Sequence, residues 1–162
     1  MAAICTACEA NGVGEDVTVG ISNLNFGTTD APNITPASYP VPRGDNSFSK
    51  YLLFRFTGTW TDITNMKFWK NSGVYVTDEE IVAAANQAYA TPSQSDTGDS
   101  AIPTSEGSAL SIESAEGANH IEYGVSGVSG DTAYIRLQAQ TSVSSPAGAV
   151  NQKVLRFQYD ET

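Results

Sequence analysis

The chain has 162 residues, of which 40% are hydrophobic and only 16% are charged, and its formal net charge is −10. A chain of this length folded as one domain buries roughly 70% of its unfolded surface, so we expect a single domain with one core. No run approaches the ~20 apolar residues that cross a bilayer, and the few cations argue against nucleic-acid binding. We therefore expect no membrane and no nucleic acid as partner, and synthesis in the cytoplasm because the first residues lack a basic and apolar leader.

Acidic residues are concentrated in the middle of the chain. Residues 71–135 contain ten Asp or Glu and no Lys or Arg, whereas the other eight acids are balanced by eight bases. A solvated acidic surface that keeps the protein soluble explains this distribution. The sharper hypothesis is one uniformly negative face turned away from DNA.

Residues 1–16 are small, polar and without hydrophobic periodicity, which predicts a flexible N-terminal arm ahead of a domain at 17–162. This arm carries the chain's two cysteines, Cys5 and Cys8. A zinc site would need further ligands, and the chain offers only His120 besides carboxylates; a redox pair would need a strand before it and a helix after it. We interpret the cysteines as a structural or incidental pair, with a disulfide or an intersubunit metal left open.

The first strand signal is the alternation of Val17, Val19 and Ile21 with polar residues. The apolar phase then shifts to Leu24 and Phe26, which indicates a break or bulge near residues 22–23. Four prolines between residues 27 and 49 predict an extended surface loop.

Stronger strand signals follow at residues 50–57, 63–69 and 74–76. In the first of these Leu52, Phe54 and Phe56 share one face, and the other face also carries large side chains. Thr77 to Glu80 resembles a capping box ahead of an Ala-rich run, which predicts one short helix around residues 78–88. Residues 90–108 predict a long loop, followed by short strands at 109–113 and 120–126.

Two clear strands close the chain, at residues 133–140 and 153–159. With seven or eight strands joined by turns, the sequence predicts an all-β fold: a β-sandwich, Ig-like or jelly-roll-like, with long loops, at most one short helix and the N-terminal arm. The predicted core consists of Leu52, Phe54, Phe56, Phe68, Ile135, Leu137, Leu155 and Phe157.

The sequence predicts no catalytic, cofactor-binding or metal-binding residue, and so no enzyme. His120 has no paired nucleophile signature and is expected on the surface with Glu122, opposite the inward Ile121 and Tyr123. The acids of residues 78–80 and the pair Asp96 and Asp99 lack the spacing of a calcium loop, so a cation there would be weak. The following aromatic residues are expected in the core rather than on a sugar-binding platform: Tyr51, Trp60, Phe68, Trp69 and Tyr75.

Over residues 17–162 the chain resembles small virion structural proteins of tailed bacteriophages. The segments that carry the resemblance are Gly20-Ile-Ser-Asn-Leu-Asn-Phe-Gly-Thr-Thr-Asp30, Lys50-Tyr-Leu-Leu-Phe-Arg-Phe-Thr-Gly-Thr-Trp60, Ile63-Thr-Asn-Met-Lys-Phe-Trp69 and Phe157-Gln-Tyr-Asp-Glu161. Such proteins are typically β-sandwiches that decorate or cement the capsid, or that sit in the neck and tail. The resemblance implies no catalytic residues.

The resemblance implies a location in the virion and a capsid decoration or cement protein as function. Its partners would be the major capsid protein or neighbouring virion subunits, and the chain would form a homo-oligomer on the particle. We expect residues 71–135 to face solvent and the arm, with Arg55, Arg136 and Arg156, to lie nearer the shell, so that high salt weakens attachment. A neck or tail adaptor and a host-adhesion or carbohydrate-binding module are the alternatives.

Overall fold

A computed structural model of the chain describes residues 2–95, 99–146 and 151–162, and ten strands lie within those ranges. In chain order the strands are β1 (Ala3–Asn11), β2 (Asp16–Val19), β3 (Lys50–Gly58), β4 (Asp62–Ser72), β5 (Glu79–Gln87), β6 (Ser100–Ala101), β7 (Leu110–Ser111), β8 (Ile121–Glu122), β9 (Tyr134–Thr141) and β10 (Val154–Glu161). The helical elements among the described residues are two 3₁₀ turns, Pro36–Ser38 and Glu106–Ser108. The predicted all-β fold is therefore confirmed.

The strands form two antiparallel sheets that pack against each other as a β-sandwich, as predicted. The larger sheet has six strands in the order β2-β1-β3-β9-β5-β6. The smaller sheet has the order β10-β4-β7, and the two-residue strand β8 also pairs with β4. The larger sheet is thus wider than the sheet that covers it.

The core lies between the two sheets and is built from the alternating inward positions of the long strands. Six of the eight predicted core residues are buried, namely Leu52, Phe54, Phe56, Phe68, Ile135 and Leu137. The remaining two, Leu155 and Phe157, are partly buried and pack against this cluster. Their exposure arises because β10 lies at the edge of the smaller sheet.

The structure differs from the predicted arm at residues 1–16, because β1 lies inside the larger sheet. It pairs with β2 on one side and along eight residues with β3 on the other. Ala3, Cys5 and Ala7 pack against the core, while Cys8 and Ala10 are fully buried. Small side chains on both faces of β1 remove the contrast between apolar and polar positions, so no period of two is visible in the sequence.

The helix predicted around residues 78–88 is wrong, because these residues form β5. Asp78 adopts a positive φ of 59° in the turn before it, and the Glu79 side chain accepts a hydrogen bond from the Val76 N–H at 3.0 Å. In the sequence these residues resemble a helix cap, but in the structure the hydrogen bond closes a turn before a strand. Alanine has the highest helix propensity, but this preference is worth less than about 1 kcal/mol per residue, and pairing of β5 with β9 over most of the strand overrides it.

Candidate interaction surface

The longest open strand edge of the described chain belongs to β10. One edge of β10 pairs with β4, and no described residue forms a backbone hydrogen bond along the other edge. The two irregularities in this pairing place the extra residue in β4, where Asn65 has a positive φ of 50°. Because β10 itself stays regular over eight residues, its free N–H and C=O groups form a template for another strand.

The other sheet edges are much shorter. β2, at one edge of the larger sheet, has four residues, and β6 at the opposite edge has two. The edge of the smaller sheet opposite β10 is formed by β7 and β8, each of two residues. Short edge strands are one way in which proteins avoid unwanted pairing, so β10 is the exception here.

An apolar groove of about 160 Å³ runs beside the free edge of β10, between the two sheets. Its floor is formed by Phe54 of β3 and by Leu155 and Phe157 of β10, and its wall by residues 21–24. The groove exists because the larger sheet extends past β10, where the smaller sheet has no further strand. It therefore has the position and the chemistry to receive the apolar side chains of an added strand.

A second exposed apolar feature is the aromatic pair Trp60 and Tyr123, whose ring centroids lie 4.9 Å apart. Trp60 donates its Nε1–H to the Ile121 carbonyl at 3.1 Å, which fixes the indole. The Tyr123 side chain is 48% exposed, so the expectation that it points inward is wrong, whereas Ile121 is buried as predicted. Tyr123 follows directly on the two-residue strand β8, so strand alternation does not extend to it.

The aromatic residues expected in the core do not all lie between the two sheets. Phe68, Trp69 and Tyr51 are buried, and Trp60 and Tyr75 are partly buried. Tyr51 lies on the outer face of the larger sheet, in a cluster of three tyrosine rings whose centroids are 5.0 to 5.9 Å apart. The cluster consists of Tyr51, Tyr89 and Tyr134.

The two cysteines are free thiols on opposite faces of β1. Cys5 faces the core and Cys8 the outer face, because they are three residues apart on one strand. Burial, with a smaller contribution from Cys8, raises the pKa of the Cys5 thiol to about 12, and burial also raises the pKa of Cys8. Facing apart, the two cannot bridge to each other or bind one metal ion together.

His120 is exposed, and its Nδ1 lies 3.8 Å from Asp62 Oδ2. The acids at residues 78–80 are used locally: Ser144 donates its hydroxyl to Asp78, and Lys153 forms an ion pair with Glu79. Within the described ranges no cluster of three or more His, Cys, Asp or Glu could hold a metal ion, and Asp96 lies outside them. Nor does any described helix have the length and apolarity to cross a membrane.

The acids of residues 71–135 do not form a face separate from the cationic strands. The Arg55 guanidinium donates two hydrogen bonds of 2.7 Å to the carboxylate of Asp131. The Arg136 guanidinium forms the same bidentate contact with Asp99. Lys67 lies 3.7 Å from Glu106. The expected separation of the acidic segment from Arg55 and Arg136 is therefore wrong, whereas the surface that lies nearer a shell stays a prediction. These arginines are occupied within the chain.

A buried polar cluster lies where the end of β1 is adjacent to the start of β3. The Lys50 ammonium contacts Glu9 Oε1 at 2.7 Å, and both side chains are 0% exposed. Asn11 Nδ2 donates to the same Glu9 Oε1 at 3.0 Å and to Asp30 Oδ1 at 2.8 Å. This cluster is not predicted from the sequence, because Glu9 and Asn11 belong to the segment that was expected to be an arm. The signal available was a lysine at the start of an otherwise apolar strand.

The chain was also compared with known proteins. No protein-family model, no curated protein and no solved structure matches it. The class of the protein is defined by its architecture alone, a two-sheet β-sandwich in which β10 has the longest open edge of the described strands.

Proposed function

We propose that this protein is a non-enzymatic structural protein of a tailed-phage virion, which attaches in many copies to the outer surface of the assembled head and stabilises it. The resemblance of residues 17–162 to small virion proteins supports the assignment to a phage particle. The observation that carries the attachment role is the free β10 edge beside the apolar groove. Catalysis is not part of the proposal.

The proposed occupant of this site is an extended segment of the major capsid protein. Such a segment adds to β10 by backbone hydrogen bonds and places alternate apolar side chains in the groove against Phe54, Leu155 and Phe157. Each copy contributes a modest interface, and a second contact of the same copy on the lattice would add avidity. A shell held in this way resists expansion and loss of subunits.

The ion pairs of Arg55 and Arg136 revise the expected salt dependence of attachment. Cations already bound to Asp131 and Asp99 contribute little to a contact with the shell. Attachment through a groove is apolar, and added salt screens charges but does not weaken burial of apolar surface. We therefore propose that binding to heads persists at high salt.

The test uses heads that lack this protein, mixed with the purified chain and separated from unbound protein by sedimentation. Ser22 is exposed and lines the groove, so Ser22→Arg blocks the groove without touching the core. Thr104→Arg is the matched control at an exposed position away from the groove. The proposal expects the control to bind like the parent and Ser22→Arg to bind at least tenfold more weakly. Equal binding of both variants would exclude the groove.

Cryo-electron microscopy of the parent particle tests the position in the virion. Density at every capsomer supports a decoration protein. Density at the portal vertex or the tail alone would replace it with the neck or tail adaptor, in which the same edge joins neighbours around a ring. Absence from the particle would overturn both.

The Trp60 and Tyr123 pair favours a second candidate, a host-adhesion or carbohydrate-binding module. The half-exposed Tyr123 ring packs against the partly buried Trp60, which a hydrogen bond holds in place, and such a pair can stack on the apolar face of a sugar. A glycan array probed with the isolated chain, and with Tyr123→Ala as control, tests this candidate. Binding that is lost in Tyr123→Ala would support it, and an array without binding would eliminate it.

A further inference from the structure

Lys50 and Asn11 face each other across two neighbouring strands of the larger sheet. The pairing of β1 with β3 runs to Ala10 opposite Tyr51, and one further step places Asn11 opposite Lys50. Directly opposed residues of an antiparallel pair have Cβ atoms about 5 Å apart. Both side chains are withdrawn from solvent, with Lys50 at 0% and Asn11 at 5% exposure. Water is therefore largely excluded from the space between them.

One carboxylate oxygen contacts both side chains. Glu9 Oε1 accepts from Lys50 Nζ at 2.7 Å and from Asn11 Nδ2 at 3.0 Å. The Lys50 ammonium also donates to the Ala31 carbonyl at 2.7 Å. A single oxygen thus lies within proton-transfer distance of an amine and of the nitrogen of a primary amide.

The amide of Asn11 is held in place by a second carboxylate. Asp30 accepts from Asn11 Nδ2 at 2.8 Å and from the backbone N–H of Gly12 at 2.8 Å. Two acceptors of the cluster are nevertheless buried without a hydrogen-bond partner, Glu9 Oε2 and Asn11 Oδ1. A buried ion pair with unsatisfied atoms is an expensive arrangement for a purely structural role.

From this geometry we propose that Lys50 and Asn11 join through an intramolecular isopeptide bond, with Glu9 carrying the protons between them. The bond links β1 to β3 and closes a loop that contains β2 and the proline-rich connection. None of Lys50, Asn11 and Glu9 lines the β10 groove, so the result of a test of this bond does not depend on the proposed function.

The reaction balances with the groups present. Glu9 takes a proton from the Lys50 ammonium, and the neutral amine attacks the side-chain carbonyl carbon of Asn11. Glu9 returns that proton to Asn11 Nδ2, the carbon–nitrogen bond breaks and ammonia leaves. Glu9 then takes the second proton of the former ammonium group. The products are a secondary amide, a neutral Glu9 carboxyl group and one molecule of ammonia, and no oxidant or cofactor is consumed.

Burial gives the reaction its direction. The starting cluster contains an ammonium and a carboxylate that have lost their hydration, whereas the amide and the protonated Glu9 are both neutral. The new bond therefore removes two buried charges at once. Exclusion of water also protects the amide from hydrolysis after it has formed.

The deciding experiment is mass spectrometry of the intact, purified full chain followed by tryptic digestion. The proposal expects a mass lower than the sequence mass by one ammonia. It also expects trypsin to leave the Lys50–Tyr51 bond uncut, so that residues 1–43 stay joined to residues 44–55. Glu9→Gln keeps the size of the side chain but cannot carry protons, so it should show the full sequence mass and separate peptides.

Lys70→Met is the matched control, because Lys70 is also buried but donates to the Gly73 carbonyl rather than to an amide side chain. It should keep the link. Should Glu9→Gln fail to fold, the mass and the peptides of the parent protein decide alone. A parent protein with the full sequence mass and normal cleavage after Lys50 would overturn the proposal. So would loss of ammonia without joined peptides, which cyclisation at Asn11-Gly12 would produce.

Discussion

Phe54 of β3 and Phe157 of β10 stack face to face, with ring centroids 3.8 Å apart and ring planes inclined by 8°. The contact joins the two sheets at the point where the smaller sheet ends. Phe54 is buried in the core, whereas Phe157 is partly open to the apolar groove. The same pair thus contributes to the stability of the sandwich and to the floor of the candidate interaction surface.

Replacement of Phe54 by alanine should destabilise the domain by about 3–5 kcal/mol, since a buried ring is lost and Phe157 loses its stacking partner. Urea unfolding followed by circular dichroism measures the change. Phe54→Leu keeps part of the volume and should lose less. A loss below about 1 kcal/mol for the alanine variant would contradict the packing described here.

Gly130 should not tolerate a side chain, because a Cβ there would lie 2.3 Å from the Phe56 carbonyl oxygen. The Phe56 N–H also donates to the Gly130 carbonyl at 2.7 Å, so the two backbones cannot separate without loss of that bond. We expect Gly130→Ala to cost about 1–3 kcal/mol in chemical unfolding. Gly107→Ala is the control, since nothing lies within 4 Å of its added Cβ. Equal stabilities would argue against this close approach.

Lys153 and Glu79 form an ion pair whose side chains are only 7% and 5% exposed. Lys153→Met leaves the Glu79 carboxylate buried and unpaired, which should cost about 3 kcal/mol or more. The comparison is Lys67→Met, because the Lys67–Glu106 pair is 40% and 54% exposed and should be worth at most about 1 kcal/mol. Thermal or urea unfolding of both variants shows the difference. Similar losses would mean that burial does not distinguish the two pairs.

Stability should fall as the pH rises above about 9. Burial raises the pKa of Cys5 from 9.0 to about 12, and burial with the nearby Asp30 and Glu15 raises the pKa of Tyr89 from 10.0 to about 12. Between these values the unfolded chain releases protons that the folded chain retains, so the free energy of unfolding decreases with pH. Urea unfolding between pH 8 and pH 11 tests the sign. Cys5→Ala should flatten the slope, and a stability that increases over this range would contradict the assignment.

The two thiols should be unreactive in the folded protein, since burial raises the pKa of both and the thiolate is the reactive form. An alkylating reagent at pH 8 should label Cys5 and Cys8 only after addition of denaturant. The structure also argues against an incidental pair in an arm, because Cys5 packs against the core and Cys8 is fully buried. Cys8 is fully buried, and Cys8→Ser should lower stability because it places a hydroxyl in that site. Rapid labelling without denaturant would show that β1 is not held in the sheet.

Strands with large apolar residues at every second position could be predicted from the sequence, as the residues of β3 and β9 show. Ile135 and Leu137 are fully buried where the alternation placed them. β1 and β5 could not be predicted, because alanine carries little information about burial and supports either a helix or a strand. Their conformation is decided by pairing with β3 and β9, which lie far away in the sequence.

The polar cluster and the groove depend on the same long-range pairing. Glu9 contacts Lys50 only because β1 lies next to β3, and the spacing of residues in the sequence does not indicate that these two strands pair. The groove depends on the different widths of the two sheets, which is a property of the strand order. Residue types predicted the core well, but they could not predict which strand edge would remain free.

The position of β10 in the chain has a consequence for biosynthesis. Phe54 and Phe56 leave the ribosome about a hundred residues before Phe157, which is in contact with both rings in the finished fold. Until residues 154–161 emerge, the smaller sheet lacks its edge strand, and the part of the Phe54 and Phe56 rings that Phe157 covers is open. The nascent chain therefore exposes part of an aromatic surface during translation, to which a chaperone that binds apolar surface can attach.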